Sequence, residues 1–193
     1  MCLLLGCLWI LTGQAAEVAI FYTNDIESVY EPLEAHWRDD LALIGGMAHL
    51  SSLIREKRSA QEISFLVDAG DMFTGSLSKV TEGRLVFDIY SAMGYDAVNL
   101  GNHEFEYGWR VLARVMQRAR FPVLNANIFH QAGDINFARQ YTILESKGIR
   151  VGVIGLIGMD AFDNTMTVSY THLRAHETSQ QRVCRRVLEK KKG

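Results

Sequence analysis

Short apolar runs that stop at a carboxylate or an amide, each followed by a helical pattern, constrain this chain more than any other feature. Residues 18–22 (Val-Ala-Ile-Phe-Tyr) lead into Thr23-Asn24-Asp25. Residues 63–67 stop at Asp68-Ala69-Gly70-Asp71, and residues 97–100 at Gly101-Asn102-His103-Glu104. Between them, Gly45-Gly46 opens a helix that sets Met47, Leu50, Leu53 and Ile54 on one face. A helix over residues 84–93 uses Leu85, Ile89 and Met93, and another aligns Leu112, Val115, Met116 and Ala119. Residues 122–124 and 150–157 read as further strands, the last a near-continuous apolar run suited to a buried position. Strand alternating with helix specifies an α/β layered sheet. No repeat, linker or low-complexity stretch interrupts residues 17–166, which read as one domain.

The two ends fall outside that pattern. Residues 1–16 hold the apolar run Leu3-Leu4-Leu5 through Leu8-Trp9-Ile10-Leu11, then small residues at Gly13 and Ala15-Ala16. The run is too short to span a bilayer and has the shape of an export signal peptide, cleaved after Ala15 or Ala16. A periplasmic or secreted protein with no stable membrane insertion after cleavage is the expectation. A lipoprotein signal at Leu4-Leu5-Gly6-Cys7 is weaker, because little apolar sequence precedes Cys7. Residues 167–193 are basic and lack helix or strand periodicity, and they resemble translated adapter sequence. They are read as a non-native tail that lies loose.

Setting the tail aside changes the charge balance. The whole chain has 20 basic and 22 acidic residues; without the tail 13 basic face 20 acidic. So acidic a domain argues against a nucleic-acid partner. Cys2, Cys7 and Cys184 all lie in the leader or the tail, so no disulfide framework holds the domain. With 48% apolar residues the core must do so instead.

Ligand sites of open α/β sheets gather outside the C-terminal ends of the strands. Asp25 and Glu27, two apart, project to one side if the backbone there is extended. Asp71 follows a glycine that permits close backbone approach, and Asn102 and His103 sit in a turn after Gly101. This oxygen-rich set with one imidazole suits hard divalent cations, and two cations side by side clamp a phosphoryl group and activate water. Asp68 is read instead as a turn-forming residue, since Asp71 fills the ligand position. His36, His49 and His130 read as surface or core-edge residues.

The ordered set Thr23-Asn24-Asp25-Ile26-Glu27, Gly45-Gly46-Met47-Ala48, Asp68-Ala69-Gly70-Asp71-Met72-Phe73-Thr74-Gly75 and Gly94 through Gly108 resembles the 5′-nucleotidase/UDP-sugar hydrolase branch of the calcineurin-like metallophosphatases. Phe121-Pro122-Val123-Leu124-Asn125-Ala126-Asn127 and Val151-Gly152-Val153-Ile154-Gly155-Leu156 continue the match, which covers almost all of residues 17–166. The resemblance implies an α/β, four-layer αββα sandwich, here incomplete, with a centre of two divalent metal ions (Mn, Mg or Zn). Asp25 and Glu27 are then ligands of one metal, Asp71 bridges both, and Asn102 binds the second. His103, oriented by Glu106, meets the phosphoryl group of the substrate, with Asn102 beside it.

The chain departs from the family pattern at Glu27, where histidine is usual, and at Glu106, where aspartate is usual. Glutamate at 27 favours harder ions such as manganese or magnesium over zinc. The family's remaining metal histidines, including a Gly-His-x-His element, and a C-terminal domain that stacks the base are expected beyond residue 166. The implied activity is metal-dependent hydrolysis of nucleotides or related phosphate esters, as in nucleotide catabolism, with this chain an inactive or nearly inactive fragment. The alternative is a non-catalytic nucleotide- or metal-binding protein that retains the fold. A Rossmann-type domain is disfavoured, since no Gly-x-Gly-x-x-Gly follows the first strand and the glycines of 152–158 have the wrong spacing.

Overall fold

The computed structural model describes residues 16–130 and 136–158, together with the backbone of Leu173–Ala175. In chain order the elements are β1 (Ala19–Thr23), β2 (Leu33–Glu34), β3 (Leu43–Ile44), α1 (Met47–Ser59), β4 (Ser64–Asp68), α2 (Gly75–Thr81) and α3 (Arg84–Met93). They continue with β5 (Ala97–Asn99), a 3-10 turn (His103–Phe105), α4 (Trp109–Met116), β6 (Val123–Leu124), β7 (Ile128–His130), β8 (Tyr141–Ser146), β9 (Ile149–Ile154) and β10 (Leu173–Ala175).

Four strands pair in the order β1-β4-β5-β6, all parallel. A parallel pair cannot be closed by a tight turn, so each connection carries helix: α1, then α2 with α3, then α4. The register places Phe21 opposite Leu66, Asp68 opposite Val98, and Val98 opposite Val123. Side chains alternate along a strand, so these residues share one face. That face packs against Val86, Phe87 and Tyr90 of α3 and Leu112 and Val115 of α4 to make the core. Ring contacts fix its interior, Tyr90 stacking on Tyr95 at 4.1 Å and Phe87 on Phe121 at 6.0 Å.

The opposite face is covered unevenly. At β5 and β6 the segment after β9 lies against it, where Asn99 Nδ2 donates to Leu156 O at 2.9 Å and Ala126 N to Gly155 O at 2.7 Å. At β1 the same face is open, with Ile20 56% and Tyr22 73% exposed. One parallel sheet backed by helices, its other face partly covered, is the α/β layered sheet that the strand and helix pattern specifies, in keeping with the incomplete sandwich that the resemblance implies.

Four sequence readings need correction. Leu53 is exposed, because a residue six positions after Met47 falls about 240° around the helix, off the buried stripe. In α3 the deepest residues are Val86, Phe87 and Tyr90, while Leu85, Ile89 and Met93 line its half-buried edge. The apolar run 150–157 does not enter the parallel sheet. Most of it forms β9, antiparallel to β8, and its residues alternate between half-buried and exposed. A run of apolar residues does not reveal its partner, and a two-stranded ribbon leaves one face outward. Finally, Leu173–Ala175 in the tail pairs antiparallel with β7 rather than lying loose. The rest of 167–193, residues 1–15 and all three cysteines lie outside the described residues.

Candidate functional site

Parallel pairing brings the C-terminal ends of β1, β4 and β5 to one edge, and backbone hydrogen bonds then stitch the loops together. Asp25 N donates to Gly70 O and Glu27 N to Asp71 O, both at 3.1 Å. His103 N donates to Asp71 Oδ1 at 2.9 Å, tying the β4 loop to the β5 loop. Two glycines make this approach possible. A Cβ on Gly70 would lie 2.4 Å from Gly101 N, and one on Gly101 would lie 2.3 Å from Asp71 Oδ1. A side chain on Gly70 would displace the backbone of Leu100 and Gly101, and one on Gly101 would displace the Asp71 carboxylate and backbone.

The loop after β1 is not extended, so the alternation argument for Asp25 and Glu27 fails. Asp25, Glu27 and Ser28 have φ of 51°, 48° and 53°, and Asp71 has φ of 59°. Four non-glycine residues in the left-handed region, gathered at one sheet edge, mark backbone held in place by its surroundings. Asp25 Oδ2 also accepts from the side chain of Asn24. Register with the β4 loop, rather than strand alternation, brings Asp25 and Glu27 to Asp71.

His103 and Glu106 pair as the sequence implies. His103 Nδ1 stands 2.5 Å from Glu106 Oε1, the residues one 3-10 turn apart. Burial opposes charge on the imidazole, yet the Glu106 hydrogen bond and the carboxylates of Asp71, Glu106 and Glu27 prevail and raise His103 above its ordinary value. Asn102 caps the 3-10 turn, its carbonyl accepting from Phe105 N at 3.1 Å.

Two buried carboxylates frame the site without belonging to the predicted set. Asp68 is 3% exposed and accepts from Thr23 Oγ1 at 2.5 Å, Gly70 N at 2.8 Å and Tyr90 Oη at 3.1 Å. Burial pushes its carboxyl up to about 6, Asp25 adds to the rise, and these hydrogen bonds oppose it. It bolts β1, β4 and α3 together, in keeping with its reading as a structural residue. Glu104, to which the sequence reading gave no role, is fully buried. Its carboxylate accepts from Gly101 N, Asp71 N, Met72 N and Phe73 N at 2.7 to 3.1 Å. Burial pushes this carboxyl up to about 7, helped by Asp71 and opposed by the amides. Position directly after Gly-Asn-His was its one sequence signal.

The donor set fits a hard divalent cation in kind. Asp25, Glu27 and Asp71 supply carboxylates, Asn102 an amide, and every ion pair among the described residues lies elsewhere except that of His103 with Glu106. It does not form a closed shell, because no three His, Cys, Asp or Glu side chains among the described residues stand close enough to enclose an ion.

No family model matches the chain. Curated relatives do. Human 5′-nucleotidase is 34% identical over 158 residues, 78% of this chain and 27% of that protein. The snake venom 5′-nucleotidase of Gloydius brevicauda is 32% identical over 169 residues, 79% of this chain and 28% of that protein. The crystal structure of a 5′-nucleotidase precursor from Thermus thermophilus superposes with a TM-score of 0.72 at 28% identity, covering 89% of this chain and 34% of that one. The chain belongs to the 5′-nucleotidase branch of the calcineurin-like metallophosphatases. It spans about a quarter of the length of the curated relatives it matches. Metallophosphatases of this family generally use divalent metal ions, in agreement with the oxygen-rich strand ends. Among the described residues no helix is long and apolar enough to cross a membrane.

Proposed function

We propose that the protein is a metal-dependent phosphoesterase that hydrolyses nucleotides or related phosphate esters, exported to the periplasm or secreted with residues 1–16 as the signal. The observation that carries this reading is the stitching of three strand ends, which gathers Asp25, Glu27, Asp71, Asn102 and the His103–Glu106 pair at one edge. The name 5′-nucleotidase shared by the relatives supports a nucleotide substrate.

Asp25 and Glu27 would hold one divalent ion and Asn102 a second, with Asp71 serving both. When bound, such ions neutralise the phosphoryl oxygens and lower the pKa of water beside them. The remaining work falls to side chains. His103, its Nδ1 engaged by Glu106, presents Nε2 to the phosphoryl or leaving oxygen and donates a proton there. Asn102 supports the same oxygen by hydrogen bonding. Glu106 reaches His103 despite its extra methylene, which supports turnover over a fold that only binds.

Since no closed ligand shell forms among the described residues, we propose that further ligands come from sequence equivalent to the remainder of the longer relatives, and that this chain alone turns over substrate poorly or not at all. The test is phosphate release by the full-length protein from a panel of nucleoside monophosphates, cyclic nucleotides and nucleotide sugars with Mn²⁺, Mg²⁺ or Zn²⁺. Activity that needs the ion and is abolished by chelation is expected. Ion binding with no phosphate release from any of them would instead establish the binding protein.

A further inference from the structure

One side chain in this region is more deeply buried and more fully engaged than any of the proposed ligands. Glu104 Oε1 accepts from Met72 N at 2.8 Å and Phe73 N at 3.1 Å, and Oε2 from Gly101 N at 2.7 Å and Asp71 N at 3.0 Å. All four amides belong to the loops after β4 and β5. Its neighbours Met72, Phe73 and Phe105 are apolar and buried, so the carboxylate gave up water entirely to make these contacts. Burying an anion is a poor source of stability, since a packed apolar group would serve as well. What four converging N–H bonds provide is geometry. They fix Asp71 in the left-handed region at φ 59° and bring its loop against Gly101, where Asp71 Oδ1 receives His103 N.

We propose that Glu104 is a positioning residue, whose bridge between the two loops holds the Asp71 carboxylate where it meets a divalent cation. The inference rests on the metal reading of Asp71 given above. Glu104 touches neither ion nor substrate and acts through Asp71, as groups behind metal ligands commonly do.

The experiment compares the full-length wild-type protein with its Glu104→Gln, Glu104→Asp and Asp96→Asn variants. Glutamine has one acceptor oxygen where two stood, so one pair of amides faces an NH₂ group. Asp96 serves as the structural control, because it binds Arg58 and Leu66 N just before β5, at the end of that strand remote from the site. Mn²⁺ binding is read from the electron paramagnetic resonance of the free ion, at a temperature where circular dichroism shows every variant folded. Amide hydrogen exchange is followed in parallel.

Glu104→Gln is expected to weaken Mn²⁺ binding by about 10- to 100-fold. Protection should fall at Asp71, Met72, Phe73 and Gly101 first. Glu104→Asp, which keeps the anion but is shorter, should lose less, and Asp96→Asn should lose stability without losing affinity. If Glu104→Gln does not fold, Glu104→Asp against Asp96→Asn decides the matter alone. Equal Mn²⁺ affinity in the folded Glu104 variants and the wild type overturns the inference, as does a loss that Asp96→Asn matches. A full-length wild type that binds no Mn²⁺ overturns the metal reading itself, a different result from a wild type and a Glu104→Gln that bind alike.

Discussion

The carboxylate of Glu106 lies 2.5 Å from Nδ1 of His103, and this contact fixes which nitrogen of the ring is left to face a substrate. Together with Asp71 and Glu27 it raises the imidazole above its ordinary value, burial opposing. Glu106→Gln removes a charge and an anionic acceptor, so the His103 titration midpoint, followed by NMR of the ring protons, is expected to fall. An unmoved midpoint would mean that the pair is not coupled in solution. The sign for stability follows. A histidine raised by folding contributes below the unfolded value near 6.5, and the contribution disappears as pH rises through the folded value. With its side chain 35% exposed, that contribution is small.

Substitutions at the strand ends separate chemistry from scaffolding. In the full-length protein, Asp71→Ala and His103→Ala are each expected to lower turnover by about 100-fold or more. Asp68→Ala should instead lower thermal stability and leave turnover per folded molecule largely intact, because Asp68 spends its oxygens on Thr23, Gly70 and Tyr90. Assays of phosphate release beside melting curves read both effects. A catalytic loss at Asp68 as large as that at Asp71 would put Asp68 among the ligands.

The features legible in the sequence were those that local pattern dictates. The strands ending at Thr23, Asp68 and Asn99 and the helices beginning at Met47 and Arg84 follow from periodicity and from the glycines and aspartates that punctuate it. What pattern could not reveal was pairing. The run 150–157 looked like a buried strand until β8 took it into a ribbon, because a partner so chosen leaves no mark in the run itself. The site was legible as a set of residue types at strand ends, but not how the loops meet. Nothing in Asp25-Ile26-Glu27 announces left-handed backbone, and only its position directly after Gly-Asn-His sets the buried Glu104 apart from an exposed carboxylate.

Gly101 tests the close approach directly. A methyl group there would meet Asp71 Oδ1 at 2.3 Å and Asp71 N at 2.7 Å, contacts that no small shift relieves. Gly101→Ala is expected to destabilise the chain by roughly 1–3 kcal/mol, as crowding in packed sites does. It should also weaken divalent-ion binding, since the Asp71 carboxylate must move. Urea unfolding and Mn²⁺ titration of the same variant read the two effects. Retention of both properties would show that the loops after β4 and β5 are further apart than described.

Asp68 carries a pH signature of its own. Burial raises its carboxyl from 3.8 to about 6, so the folded chain binds more protons than the unfolded chain between those values. A group raised in this way lowers stability as pH rises through the window, by about 3 kcal/mol once it is passed. Asp68→Asn removes the titration while keeping an oxygen for Gly70 N and an NH₂ group that the hydroxyls of Thr23 and Tyr90 can accept by rotating. The variant should therefore gain on the wild type as pH climbs from about 4 to 7, the gap opening across the Asp68 titration rather than standing constant. Denaturant unfolding at several pH values measures it. A difference independent of pH would mean that Asp68 is ionised in the fold as readily as in the unfolded chain, its three donors cancelling the cost of burial.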